Sequence, residues 1–204
     1  MSDTKEKILF TALRLFAQDG YEAVSVSTIA GELGITKGAL YKHYKNKRDI
    51  FDHILERVFQ EDVMRAKEYG VPEEEFDKAP LSFQHTSIEE LKNYIEATFR
   101  IWLEEELARN FRKMLTLEQY RSQEMSDLYK LCVCQVSYIE DLFREMIEQG
   151  VLKKSDPKLL ALDFFAPYHF LLNMAMVDSS SDIEETANLL SKHIERFIAI
   201  NSVK

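Results

Sequence analysis

The chain has 204 residues, 46 % of them apolar, with only 6 glycines and 4 prolines. That composition excludes a disordered chain and disfavours a turn-rich all-β fold, and the length allows a sizeable core. The formal net charge of −9 excludes a uniformly basic nucleic-acid binder, though not a local basic face. No apolar run reaches the roughly 18 residues of a membrane span. The start, Met-Ser-Asp-Thr-Lys-Glu-Lys, is too charged to lead into a signal sequence, so a cytoplasmic protein is expected.

Helical signals dominate from end to end, and no strand alternation is sustained. A first helix opens at Asp3 or Thr4, where Asp3 and Glu6 fit a capping box, and ends at Gly20. Its stripe is Ile8, Leu9, Ala12, Leu13 and Phe16. Ser25 caps a second helix with Ile29, Ala30 and Leu33 inward. Gly34 supplies a turn, and Thr36 caps a third helix over 37–44. Asn46 caps a fourth, over 47–68, with Asp49 at the favourable end of its dipole. Residues 70–86, with Pro72, three successive glutamates and Pro80, read as a linker holding at most one short turn. Ser87 and Glu90 form another capping box, opening a fifth helix to about Glu105. A sixth follows over 107–121, and a seventh over 124–149, stopped by Gly150. Pro157 starts an eighth helix to Val177. Asp182 caps a ninth, ending near Ile200. The expected fold is all-α with about nine helices.

Charge is unevenly distributed. Residues 1–57 hold nine Lys/Arg and eight Asp/Glu, a net of +1, which leaves −10 on the remainder. Residues 34–48 hold five basic side chains and no acid. Two short helices divided by a glycine turn, the second basic and aromatic, form a helix-turn-helix pattern, whose second helix enters the major groove. Lys37 at its start can reach a guanine edge or a phosphate. Gly38 within so short a helix costs about 1 kcal/mol against alanine. Either close approach to a base or tight helix packing explains it. Ala39 is small enough to face bases, and Leu40 packs inward. Tyr41, Lys42 and His43 are phosphate donors. Tyr44 is expected in the core with its hydroxyl at the rim. Lys47 joins its charge to the free amides of the fourth helix. Ser25, Ser27 and Thr28 offer hydroxyls and amides at the second, and Thr36 does so at the third.

Residues from about 8 to 55 resemble the DNA-binding domain of the TetR family of bacterial transcription regulators. The pattern is Ile29-Ala30-x-x-Leu33-Gly34-Ile35-Thr36-x-Gly38-x-Leu40-Tyr41-x-His43-Tyr44-x-x-Lys47. Two departures stand out: Tyr44 where the family usually has Phe, and Arg48 where a Glu often follows the lysine. The resemblance implies a homodimer on a palindromic operator, with recognition helices roughly 34–36 Å apart. It places Lys37, Gly38 and Tyr41 at positions that commonly meet bases or the adjoining backbone. His43, Lys47 and the start of the second helix match phosphate contacts.

The domains expected are a helix-turn-helix domain at 1–46, a connecting helix at 47–68, and a ligand-binding and dimerisation domain at 69–204. The last is rich in aromatics. Its eighth helix is apolar nearly all round and is expected to be buried and kinked at Pro167. His169 and Asn173, four apart, either satisfy each other or face a ligand. The ninth helix carries the apolar stripe Ile183, Ala187, Leu190, Ile194, Phe197 and Ile198. Together the two suggest a large interface, and the resemblance implies a four-helix dimer bundle. An unidentified apolar or aromatic effector is expected in a mostly apolar pocket, with Trp102, Tyr138, Phe165, His169 and Asn173 as candidate contacts. Asp163 and Glu118 are candidates to meet a cationic group.

Cys132 and Cys134, two apart, point to different helix faces and read as small core residues, a redox role being the alternative. No metal spacing, phosphate loop or paired nucleophile is present, so neither a cofactor nor an enzyme is expected. A ligand-responsive repressor is the preferred function. A helical enzyme or carrier, or a DNA-binding activator, stands as the alternative.

Overall fold

The computed structural model describes residues 3–133, 135–177 and 182–203. Among them lie eleven helices and no strand: α1 (Asp3–Asp19), α2 (Val26–Glu32), α3 (Lys37–Tyr41), α4 (Lys47–Tyr69), α5 (Pro80–His85), α6 (Ile88–Glu104), α7 (Glu106–Glu118), α8 (Gln123–Val133), α9 (Val136–Glu148), α10 (Pro157–Val177) and α11 (Ile183–Asn201). The chain divides into two compact units, Met1–Asp62 with Glu105–Val133, and Val63–Glu104 with Cys134–Lys204. These compact units differ from the division expected at 46 and 68, because α7 and α8 cluster with the N-terminal helices.

In the first unit, the α1 stripe of Ile8, Leu9, Ala12, Leu13 and Phe16 is fully buried. α7 packs along α1 and presents its own stripe, Leu107, Phe111, Met114, Leu115 and Glu118, all buried. Ile50, Phe51 and Ile54 of α4 are buried too, whereas Leu55 and Val58 are half-covered. Asp3 is the first described residue of α1 and pairs with Lys7 one turn on. Two left-handed glycines make the turns: Gly20 at φ +86° ends α1, and Gly34 at φ +64° separates α2 from α3.

In the second unit, Ser87 and Glu90 form the expected capping box. The Ser87 N–H donates to Glu90 Oε2 at 2.7 Å, and the Glu90 N–H donates to Ser87 Oγ at 3.1 Å. α6 packs against α10 and α11, α9 against α10, and α5 against α9. Phe143, Phe164 and Phe197 join α9, α10 and α11, with ring centroids 5.1–5.4 Å apart. Arg100 donates both terminal nitrogens to Glu184, tying α6 to α11.

Four expectations are corrected here. The segment expected as a linker contains a full helix, α5: Pro80 at its first turn presets the helical φ, and Phe83 is buried against Phe76 and Tyr138. The single helix expected over 124–149 is two, α8 and α9, in different units. α10 is not buried all round: Leu159, Leu162, Phe170, Met174 and Val177 are exposed along one side, Phe170 by 63 %. α10 is also long and apolar enough, by length and composition, to cross a membrane. Its apolar content serves two opposite faces, one in the core and one exposed, and Asp163, His169 and Asn173 interrupt it. α10 remains helical through Pro167.

Most of the stripe expected on the ninth helix is spent inside the chain, with Ile183 and Ile198 left half-exposed. Ala187, Leu190, Ile194 and Phe197 are buried in the second unit, where α11 packs on α6 and α10. What α11 exposes is Leu189 and Ile200.

Candidate nucleic-acid interface

Each short helix of the first unit is fixed at its start by a side-chain cap. Ser25 Oγ accepts the Thr28 N–H at 3.1 Å and shares a hydrogen bond with the Thr28 hydroxyl at 2.9 Å. Thr36 Oγ1 accepts the Ala39 N–H at 3.1 Å. Asn46 Oδ1 accepts the Asp49 N–H at 2.8 Å, and Asp49 Oδ2 accepts the Lys45 N–H at 2.7 Å. Capping of this kind holds a five-residue helix that propensity alone would not form. Ser25, Ser27, Thr28 and Thr36 are exposed at these helix starts.

α3 turns Leu40 fully into the core and ends at Tyr41, earlier than the expected 44. Tyr44, past its end, is buried, and its hydroxyl donates to the Lys5 carbonyl at 3.1 Å. Lys37, Gly38, Tyr41 and Lys42 are exposed, and Ala39 and His43 are half-exposed. Gly38 has nothing near the place of a missing Cβ except the Thr36 hydroxyl at 3.9 Å. The packing explanation for this glycine therefore fails, and close approach by an external partner stays open.

The five basic residues of the stretch separate into two groups. Lys37, Lys42 and Lys45 are exposed and form no ion pair among the described residues. Lys45 belongs to the basic run but was given no contact, because the motif assigns it no role. Lys47 and Arg48 are committed internally. The Lys47 ammonium donates to the carbonyls of Tyr21 at 2.8 Å and Glu22 at 3.4 Å, and lies 4.2 Å from the Tyr21 ring centre. In the free chain the ammonium therefore braces the α1–α2 turn. Arg48 pairs with Asp52 and, at 2.7 Å, with Glu124 of α8. Those two carboxylates hold its guanidinium above the usual arginine range, and Arg48 in turn holds Glu124 below the usual carboxylate range.

The candidate effector contacts lie in the second unit: Trp102 on α6, Tyr138 on α9, and Phe165, His169 and Asn173 on α10. Trp102 and Phe165 are buried, and Phe165 stacks on Tyr168 at 4.8 Å. The Tyr138 hydroxyl donates to the Pro72 carbonyl at 3.0 Å, so it already has a structural task. His169 and Asn173 are half-buried. Glu118, expected as a cation partner, instead serves the first unit: its carboxylate accepts the Tyr21 N–H at 3.0 Å. Asp163 is exposed. Among the described residues no cluster of three or more His, Cys, Asp or Glu is placed to hold a metal.

Cys132 is buried on α8, and Cys134 lies outside the described residues. Burial, with Asp62 nearby, pushes the Cys132 thiol up from 9.0 to about 12. Few thiolates form and the buried sulfur is hard to reach, so alkylation of Cys132 by iodoacetamide at pH 8 should be at least about tenfold slower in the folded chain than in the denatured one. Peptide mapping with and without denaturant measures the ratio, and equal labelling rates would contradict the burial.

Residues 8–54 match the model of the bacterial regulatory proteins of the tetR family. The chain is 26 % identical over 200 residues to the uncharacterized HTH-type transcriptional regulator YhgD of Bacillus subtilis, covering 98 % of each. It is 46 % identical to the HTH-type transcriptional regulator AcrR of Shigella flexneri over 54 residues, 26 % of this chain and 25 % of AcrR. Among solved structures, the SmeT–triclosan complex is similar at a TM-score of 0.69 and 20 % identity, covering 98 % of this chain and 92 % of that one. SmeT described as the repressor of the Stenotrophomonas maltophilia multidrug efflux pump SmeDEF is similar at 0.64 and 22 %, covering 100 % and 92 %.

Proposed function

We propose that the chain, whose residues 8–54 match the tetR family of bacterial regulatory proteins and which is similar over its length to an HTH-type transcriptional regulator, is a DNA-binding regulator that acts as a homodimeric repressor released by a small apolar or aromatic effector. The observation that carries the DNA contact is the exposed, acid-free face of α3. There Lys37, Gly38, Ala39 and Tyr41 read base edges, while Lys42 and His43, with Ser25, Ser27, Thr28 and Thr36 at the helix starts, hold phosphates. Lys45 joins the phosphate contacts, and Lys47 supports them from behind. Such a protein works in the cytoplasm, where the operator is.

The exposed apolar side of α10, with Leu189 and Ile200 of α11, supports dimerisation through these two helices. The aromatic-rich second unit supports an apolar effector near Trp102, Phe165, His169 and Asn173. SmeT, whose fold is shared, has been solved with triclosan. Effector binding then favours a dimer state whose two reading heads no longer match one turn of DNA.

Salt titration tests the DNA face. Each released phosphate contact lowers the slope of log K against log salt by about 0.9 for duplex DNA. Lys42→Ala and Lys45→Ala are each expected to flatten the slope by about that much, and Lys47→Ala to weaken binding with a smaller change of slope. Fluorescence anisotropy on the duplex upstream of the protein's own gene measures both. Wild-type protein that binds no DNA at any salt concentration overturns the regulator function.

A further inference from the structure

Glu118 is placed against three physical preferences at once. It is a carboxylate 1 % exposed to solvent, and a buried charge is costly unless well partnered. It is the last residue of α7, where the helix dipole disfavours an anion. It also leaves no room for a side chain at position 20, because a Cβ there would stand 2.7 Å from Glu118 Oε1. What it gains is one backbone group outside its own helix: Oε1 accepts the Tyr21 N–H at 3.0 Å, with Arg121 Nε 3.5 Å away.

Tyr21 is held from its other side too. Lys47, the first residue of α4, donates to the Tyr21 carbonyl, so the residue's N–H and C=O are gripped by α7 and α4 respectively. The Tyr21 ring packs between Phe16 at 5.0 Å and Phe51 at 5.1 Å. Four residues on, Ser25 caps α2. A short, braced turn thus joins the end of α7 to the start of the helix-turn-helix.

We propose that Glu118 is a positioning residue that locks the α1–α2 turn to α7, so that DNA affinity responds to where α7 stands. This rests on the regulator function above and gives it a lever. α7 follows α6 in the chain after Glu105 alone. A shift of α7 must drag Tyr21 or break its hydrogen bond. Either event moves the amides at Ser25 that a phosphate would meet.

The test uses hydrogen exchange and DNA binding by the full chain. In Glu118→Ala, with helical circular dichroism retained, peptides spanning residues 20–25 should exchange at least about tenfold faster and affinity for the upstream duplex should fall about tenfold. Glu118→Gln keeps a carbonyl acceptor for Tyr21 and should stay within about threefold of wild type. Coupling is reciprocal, so saturating wild-type protein with that duplex should slow exchange along 106–118, an arm that needs no variant. Exchange along α7 that ignores DNA, or a folded E118A of unchanged affinity, overturns the coupling while leaving the regulator function intact. Wild-type protein that binds no DNA overturns both.

Discussion

Gly38→Ala is expected to make the protein more stable and a poorer DNA binder. The free protein leaves open space at Gly38, and its φ is not in the left-handed region, so a methyl group fits without strain. Removing glycine's backbone freedom from a helix is worth about 0.5–1 kcal/mol, a rise in melting temperature of about 2 °C for a chain of this size. In the complex the same methyl occupies the place of closest approach to the groove. A disturbed base contact typically costs about 1–3 kcal/mol, which is about fivefold to 150-fold in affinity. Calorimetry and anisotropy on one sample would show opposite signs. A stabilised variant with undiminished affinity would remove Gly38 from the reading surface and leave Lys37 and Tyr41 to carry it.

Two aspartates on α10, Phe170→Asp with Met174→Asp, are expected to turn the dimer into single chains and to remove most operator affinity. The residues are four apart on the exposed side that also holds Leu159, Leu162 and Val177. Burying five such side chains against a second copy is worth roughly 1.5–3 kcal/mol each, enough to exceed much of the association cost. Two carboxylates in the middle of that contact cannot be desolvated cheaply. Sedimentation velocity reads the assembly state, and operator binding should drop by about two orders of magnitude once one half-site must suffice. The fold should survive, because neither side chain is in the chain's own core. An unchanged sedimentation coefficient would move the interface elsewhere.

The N-terminal helices were legible because their signals are local. Ser25, Thr36 and Asn46 are caps in the sequence and in the structure, and Gly20 and Gly34 have the left-handed φ their turns need. The break between α8 and α9 was not legible. Met125, Cys132, Ile139 and Met146 recur every seven residues straight through it and all are buried, so the apolar period is continuous while the chain passes from one unit to the other. Periodicity reports burial and not what a residue is buried against. The same limit explains α11, where Ala187, Leu190, Ile194 and Phe197 of the expected stripe are core. The bracing contacts of Lys47 and Glu118 were not legible for a related reason. Their partners, the backbone groups of Tyr21, lie 26 and 97 residues away, and a main-chain amide leaves no mark on a side-chain pattern.

The chain has one tryptophan, and it is Trp102, 9 % exposed on α6. Its indole is therefore an optical reporter placed by nature in the unit proposed to take the effector. Emission from a buried indole is blue-shifted, and a molecule seated beside it changes intensity or wavelength without any label. A panel of aromatic and aliphatic compounds can be screened on the unmodified protein in this way. A compound that both alters this one signal and releases the DNA identifies itself as the effector.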